Sequence, residues 1–257
     1  MSVLPYASFL ATQSKRNIIL LHLQWEGSPE NVIEVMESWR ACIAESFKGE
    51  IEVILRNGDI LRDIKTIAEE HSCDLALMPT HGMQGFQEVD GSLALNVMTE
   101  VELPFIAVKA GTNIRPQLRK VLLAGELKNQ MLEELEGFIG FTKWSGAETV
   151  VYFHERDKSV VRKSFEEQIR SAYEANGLKV SFSSSLKYDF SKAVMDFALE
   201  EKPDIIATLN FSYESLFTIN PRTDEEDLIY NNVGIPVLLI TPRNKEEDLD
   251  LPEDEMI

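Results

Sequence analysis

A glycine-bearing loop at residues 79–92 is the part of this sequence best suited to bind an anion. It follows a short apolar run, Leu75–Met78, and ends in Gly91-Ser92, where a helical pattern begins. The first turn of a helix offers unpaired N–H groups and a positive dipole end, and glycine lets a ligand approach the backbone. The spacing is neither that of a Walker loop nor GxGxxG. The loop therefore indicates an anion or phosphate site outside those two motifs.

Catalytic and metal chemistry are not indicated elsewhere in the chain. The 4 histidines and 2 cysteines show no metal-ligand spacing such as HExxH or CxxC. The sequence has no GxSxG elbow, and no serine has a recognisable base partner. We therefore expect no catalytic residue, no metal site and no ordinary enzymatic activity, while slow ATP hydrolysis stays open.

The charge balance argues against several classes of partner. The chain has 257 residues, and its 25 Lys+Arg against 43 Asp+Glu give a net charge of −18. Nucleic acids and anionic membrane surfaces require a basic footprint, which this composition does not favour. No run approaches 18 apolar residues, and two cysteines cannot form a disulfide framework. We expect a cytoplasmic protein that binds neither nucleic acid nor membrane.

An internal repeat organises the chain. Residues 64–77 align without a gap on residues 194–207, which places Asp74 on Asp204 at an offset of 204 − 74 = 130. Two strand-like runs recur at nearly the same offset: Asn17–Leu23 in Glu148–His154, and Leu103–Lys109 in Ile235–Thr241. The sequence therefore predicts two homologous units in tandem.

Each unit alternates strand-like and helix-like patterns, which is typical of parallel βαβ units in a doubly wound sheet. Unit two opens with a predicted strand at Arg119–Glu126, whose counterpart in unit one would fall before residue 1. We expect unit one to lack this strand, and its flanking strands to pair directly or to borrow one. The predicted parts are unit one at 1–113, unit two at 114–242 and an acidic tail at 243–257.

The loop and the order of elements resemble the universal stress protein family. The resemblance is carried by Pro79-Thr80-His81-Gly82, then eight residues, then Gly91-Ser92, and it covers nearly the whole chain. It implies α/β architecture: two doubly wound units of the adenine-nucleotide α-hydrolase type. It also implies that the last strands pair as a pseudo-dimer within the chain, with further homo-oligomers left open. In nucleotide-binding members this signature wraps ATP phosphates, which would assign these residues to the site: Leu23, Met78, Thr80, His81, Gly82, Gly91 and Ser92.

The departures from the family pattern bear on function. Pro79 replaces the family's first glycine, the loop is one residue short, and it contributes Glu88 and Asp90 but no lysine or arginine. Unit two has Glu126 where the family's opening strand has an adenosine-reading aspartate. The positions of its glycine-serine signature are changed as well: Leu209, Ser212, Thr223 and Asp224. We expect no ATP in unit two, and ATP stays open in unit one.

Three functions follow from this interpretation. The leading one is a non-enzymatic, stress-associated binding or signalling protein of universal stress type with a degenerate nucleotide site. The first alternative is an adenine-nucleotide-binding universal stress protein that uses unit one. The second alternative is an acidic protein-interaction scaffold. No cofactor is certain, and ATP is the one candidate.

Overall fold

The computed structural model describes most of both predicted units. The described residues are 3–24, 28–80, 97–98, 101, 103–109, 117–125, 129–154, 159–185, 189–209, 228–229, 231 and 233–240. The acidic tail lies outside these ranges, and the predicted limits of the units stay a prediction.

Helices and strands alternate through the described residues. The helices are α1 (Val3–Ser14), α2 (Val32–Ala44), α3 (Ile60–Glu70), α4 (Asn129–Glu133), α5 (Leu135–Ser145), α6 (Ser159–Ala175) and α7 (Phe190–Glu201). The strands are β1 (Ile18–Gln24), β2 (Ile51–Asn57), β3 (Ala76–Thr80), β4 (Phe105–Lys109), β5 (Lys120–Gly125), β6 (Glu148–His154), β7 (Val180–Ser185), β8 (Ile205–Leu209) and β9 (Val237–Ile240). Unit one contributes β1 to β4, and unit two contributes β5 to β9.

The strands form two sheets within the described residues. The larger sheet has the order β3-β4-β9-β8-β5-β6-β7, and the smaller one pairs β1 with β2. Every ladder is parallel except that of β4 with β9, where Ile106 lies opposite Leu238. The predicted doubly wound α/β class is confirmed, and so is the predicted pairing of the two last strands.

Unit one lacks the opening strand among the described residues, as expected. In unit two, β5 lies between β6 and β8 and is parallel to both. The equivalent strands of unit one, β1 and β3, pair with β2 and β4 respectively and not with each other. The expectation that these flanking strands pair directly is therefore wrong, and no borrowed strand is found in the described ranges.

Helix α1 packs against both of these strands. It contacts β1, β3 and helix α5 of unit two. Its Tyr6 and Leu10 are 1% and 3% exposed, and both belong to the core that α5 covers. The two strands are therefore connected through α1 and its buried side chains, and not through a shared ladder.

Two apolar layers cover the faces of the larger sheet. The first layer is built around Phe138 and Ile169, from α5 and α6, and includes the face of β5. The second layer is built around Phe190 and Met98 on the opposite side. A sheet covered on both faces accounts for the continuous apolar runs in its parallel strands.

The repeat extends to single hydrogen bonds. Asp59 caps α3 by accepting the backbone N–H of Arg62 at 2.9 Å, and Asp189 caps α7 by accepting that of Lys192 at 2.9 Å. A carboxylate at this position satisfies one of the unpaired N–H groups at a helix start. The two caps stand 189 − 59 = 130 residues apart, which is the offset of the aligned segments.

Candidate functional site

The carboxyl end of β3 forms the described part of the predicted site in unit one. Met78 is partly exposed, whereas Thr80 is 2% exposed. The Thr80 hydroxyl oxygen has no hydrogen-bond partner among the described residues. A buried hydroxyl without a partner costs about 1–3 kcal/mol. This oxygen is therefore a polar group that a ligand or a loop atom would satisfy.

Leu23 occupies a different sheet from Met78 and Thr80. It lies near the end of β1, is 8% exposed and faces Arg56 of β2 in the ladder. The family resemblance implies that the ends of β1 and β3 contribute to one site, on either side of an opening strand. Among the described residues that strand is absent, so Met78 and Thr80 share a strand whereas Leu23 stands apart from them.

The remaining residues assigned to the site lie outside the described residues: His81, Gly82, Gly91 and Ser92. The helical pattern that follows them is described at Val97 and Met98, which are helical and fully buried in the second core layer. The predicted helical pattern is therefore present at these two positions. The geometry of the loop itself stays a prediction.

A lysine beside the site is engaged with the other unit. Lys109 lies opposite Thr80 in the β3–β4 ladder, and its ammonium group donates to the carbonyl oxygen of Asn231 at 3.3 Å. The cation of this ladder that lies nearest to Thr80 is thus directed to a turn of unit two. The sequence pattern does not distinguish this lysine, because a polar residue after the apolar run Phe105–Val108 is typical of the end of a strand.

Asn231 is a structural residue that the sequence analysis missed. It is 4% exposed, and its amide donates to the carbonyl oxygens of Leu228 and Ile235 at 2.8 Å each. Its side-chain oxygen accepts the backbone N–H groups of Gly234 and Ile235. An Asn three residues before a glycine is a weak turn signal, and it is the one pattern that points to this role.

In unit two, the strand that corresponds to β3 is β8, and it ends in an apolar residue. Leu209 closes β8, is 4% exposed and belongs to the first core layer. Gly125 closes β5, where a Cβ atom would stand 3.0 Å from the Met131 sulfur. Glu126 and the other altered signature positions after Leu209 lie outside the described residues.

Cys73 lies just before the start of β3, at the end of the strand opposite to the predicted site. Burial raises the pKa of the Cys73 thiol, and the neighbouring carboxylate of Asp74 raises that pKa further. A raised pKa keeps the thiol protonated at neutral pH, and a protonated thiol reacts poorly.

Within the described residues, no group of three or more His, Cys, Asp or Glu could hold a metal ion. No described helix is long and apolar enough to cross a membrane.

Comparison with known proteins identifies the fold of this chain. No family model and no curated protein matches the chain. Its structure matches a universal stress protein from Archaeoglobus fulgidus with a TM-score of 0.70 and 18% identity, over 95% of this chain and 93% of that one. This chain has the fold of the universal stress proteins. The family resemblance drawn from the loop and the order of elements is confirmed at the level of the fold.

Two structures from Pseudomonas aeruginosa share the universal stress fold with this chain. One is a functionally unknown protein of strain PAO1, with a TM-score of 0.58 and 11% identity. The other is a putative universal stress protein of strain UCBPP-PA14, with a TM-score of 0.57 and 12% identity. Each match covers 92% of this chain and 86% of the other. The universal stress fold therefore extends over both units of the tandem.

Proposed function

We propose that this protein is a non-enzymatic, stress-associated binding or signalling protein of the cytoplasm whose nucleotide site is degenerate. The observation that carries the proposal is the division of unit one into two sheets. Leu23 and Thr80 lie on β1 and β3, and no described strand joins them. The family resemblance assigns the adenosine-reading aspartate to that joining strand. The described residues of unit one therefore offer only part of a nucleotide site.

Unit two supports the proposal for a different reason. Its sheet is complete, but the buried Leu209 stands where the family signature has its first glycine. Asp224 is predicted at the helix start that would face a phosphate. Two like charges about 4 Å apart repel by roughly 4 kcal/mol at an effective dielectric near 20. That is about half of a micromolar binding energy of about 8 kcal/mol, so we propose that unit two binds no ATP.

A second candidate function, adenine-nucleotide binding in unit one, is favoured by Thr80. Its hydroxyl is buried without a partner among the described residues at the end of β3, directly before the glycine-bearing loop. A phosphate or ribose oxygen within reach of this group would remove the penalty of burying it. The acidic tail lies outside the described residues, so the scaffold alternative stays a prediction.

One experiment separates the two functions. The purified protein is heated, and the supernatant is analysed for adenine nucleotides by chromatography. ATP is then titrated into nucleotide-free protein by calorimetry. The degenerate site predicts no co-purified nucleotide and a Kd no tighter than about 1 mM, worth roughly 4 kcal/mol. Nucleotide at one equivalent per chain, or a micromolar Kd, would overturn the proposal in favour of the second function.

Two matched variants locate any binding that is found. Thr80→Val removes the unpartnered hydroxyl in unit one, and Thr208→Val removes a buried strand hydroxyl in unit two, which donates to the Leu209 carbonyl at 3.4 Å. If ATP binds in unit one, only Thr80→Val should weaken ATP binding. Equal effects of the two changes would show that neither hydroxyl contacts the nucleotide.

A further inference from the structure

The sequence contains two Asn-Gly pairs, and both lie within the described residues. Asn57 ends β2 and Gly58 opens the turn into α3, whereas Asn176-Gly177 follows directly after α6. An asparagine before a glycine is especially prone to spontaneous deamidation, because glycine has no Cβ to shield its backbone nitrogen or to restrict the backbone. The structure holds the two pairs differently, so their reactivities can be compared within one chain.

Deamidation needs only the asparagine, the next backbone nitrogen and water. The backbone nitrogen of the glycine gives up its proton to solvent and attacks the side-chain carbonyl carbon of the asparagine. A new C–N bond closes a five-membered succinimide ring, and the amide nitrogen takes up a proton and leaves as ammonia. Water then opens the ring at either carbonyl carbon, which gives aspartate or isoaspartate without any oxidation or reduction. The ring closes only when the side chain can turn towards the glycine nitrogen.

Three hydrogen bonds oppose this movement at Asn176. Its side-chain amide donates to the carbonyl oxygen of Ala172 at 2.9 Å, and its side-chain oxygen accepts the Lys143 ammonium group at 3.2 Å. The backbone N–H of Gly177 donates to the carbonyl oxygen of Glu174 at 2.9 Å, in a turn where Gly177 has a φ of 69°. Both the side chain and the attacking nitrogen must therefore be released before the ring can close.

The side chain of Asn57 is exposed and is not held in this way. It makes no hydrogen bond within the described residues, although Arg56 beside it pairs with Glu70 at 3.3 Å. Gly58 is also exposed. The backbone there adjoins the last rung of the ladder with β1, where Gln24 lies opposite Asn57, and the ends of ladders open readily. No side-chain hydrogen bond to a described residue has to break before Asn57 can turn towards the nitrogen of Gly58.

The packing of α3 favours glycine at position 58. A Cβ atom there would collide with a carboxylate oxygen of Asp63, a residue of the first turn of α3 that is 9% exposed. That oxygen is buried and has no hydrogen-bond partner among the described residues. The glycine that makes Asn57 reactive therefore also makes room for a buried carboxylate.

We propose that Asn57 is a site of spontaneous deamidation in the folded protein, whereas the fold protects Asn176. The product adds one negative charge at the carboxyl end of β2, so that the net charge changes to −18 − 1 = −19. Isoaspartate also adds one carbon atom to the backbone between β2 and α3. That insertion shifts Gly58 against Asp63, so the isoaspartate form should melt at a lower temperature than the unmodified protein.

The test follows both asparagines in the full-length protein during incubation at neutral pH. Peptides that carry each residue are quantified over time by mass spectrometry, which detects the replacement of NH₂ by OH. A hydrogen bond of ordinary strength slows such an opening about fivefold, so the three bonds should slow the reaction at Asn176 on the order of a hundredfold relative to Asn57. Equal rates would overturn the proposal. So would an Asn57 that stays intact while the free peptide of residues 53–62, VILRNGDILR, deamidates.

Unfolded protein and two matched variants separate the fold from the local sequence. In guanidinium chloride the two asparagines should react at similar rates, because glycine follows both; continued protection of Asn176 there would refute the role of its hydrogen bonds. Asn57→Gln requires a larger ring and should abolish most of the acidic species that accumulates on ion-exchange chromatography. Asn176→Gln should leave that species unchanged. The reverse result for the two variants would show that the reactive asparagine is Asn176.

Discussion

Replacing Asp204 by alanine should destabilise the protein far more than replacing its repeat counterpart Asp74. The Asp204 carboxylate accepts the two backbone N–H groups at the entry to β5 and also the side-chain amide of Gln117 at 2.9 Å. Hydrogen bonds to a charged group contribute about 1.5–3 kcal/mol each. Because the chain before β5 is partly exposed to water, we take the lower value for the two backbone bonds. The expected loss for Asp204→Ala is about 3 kcal/mol.

The same substitution at Asp74 removes only the ion pair with Arg16. Both side chains are more than half exposed, and exposed pairs contribute about 0.2–1 kcal/mol. The two variants should therefore differ by about 2 kcal/mol or more in the free energy of unfolding. Asp204→Asn, which keeps one acceptor oxygen, should lie between them.

Urea unfolding followed by circular dichroism measures these differences, provided that the m-values of the variants agree. If Asp204→Ala and Asp74→Ala differ by less than about 0.5 kcal/mol, the carboxylate does not secure the start of β5. The hydrogen bonds of Asp204 would then contribute no more to stability than the exposed ion pair of Asp74.

Three further predictions concern a buried turn, two helix glycines and the ionisation of two buried tyrosines. Asn231→Asp should lower the free energy of unfolding by about 3 kcal/mol, because carboxylate oxygens would face two carbonyl oxygens, and a thermal melt should show it. Gly146 ends α5 at φ 65°, so Gly146→Ala should lower the free energy of unfolding by about 1 kcal/mol. Gly140 lies inside α5 with open space where a Cβ would stand, so Gly140→Ala should raise it by up to about 1 kcal/mol. Urea titrations measure both changes. Burial raises the pKa of Tyr6, and burial raises that of Tyr173 to about 12. Since the unfolded chain releases these protons first, stability should fall above pH 10 by about 1.4 kcal/mol per pH unit for each tyrosine, and Tyr6→Phe should halve that slope in urea titrations from pH 8 to 11.5.

The tandem arrangement was predictable because its signals repeat in the sequence. The alignment that places Asp74 on Asp204 also anticipated two units with the same order of elements. Asp59 follows a glycine and precedes an apolar helical pattern, a local signal for the helix cap in which it accepts the backbone N–H of Arg62. Short apolar runs ending at Lys109 and Thr241 predicted the last strands, which pair across the units. Periodicity and caps are local properties, so the sequence carries them directly.

The arrangement around the missing strand was not predictable in the same way. Pairing rules favour closing a gap between two strand edges, which led to the wrong expectation for β1 and β3. In the structure the two strands are connected through α1, whose Tyr6 and Leu10 are buried in a core shared with unit two. The unpartnered hydroxyl of Thr80 and the turn around Asn231 were also hidden, because contacts between distant segments leave no periodic pattern. Only part of the candidate site could therefore be predicted.

The antiparallel ladder of β4 with β9 joins two halves that also belong to one covalent chain, which changes how they respond to dilution. Phe105, Ile106 and Ala107 face Leu239, Leu238 and Val237 in the middle of one continuous sheet. When two separate chains meet through such an interface, mass action separates them at low concentration. A covalent link gives the second half a fixed local concentration near the first, in the millimolar range or above. The association of the two halves of this chain therefore does not depend on the concentration of the protein.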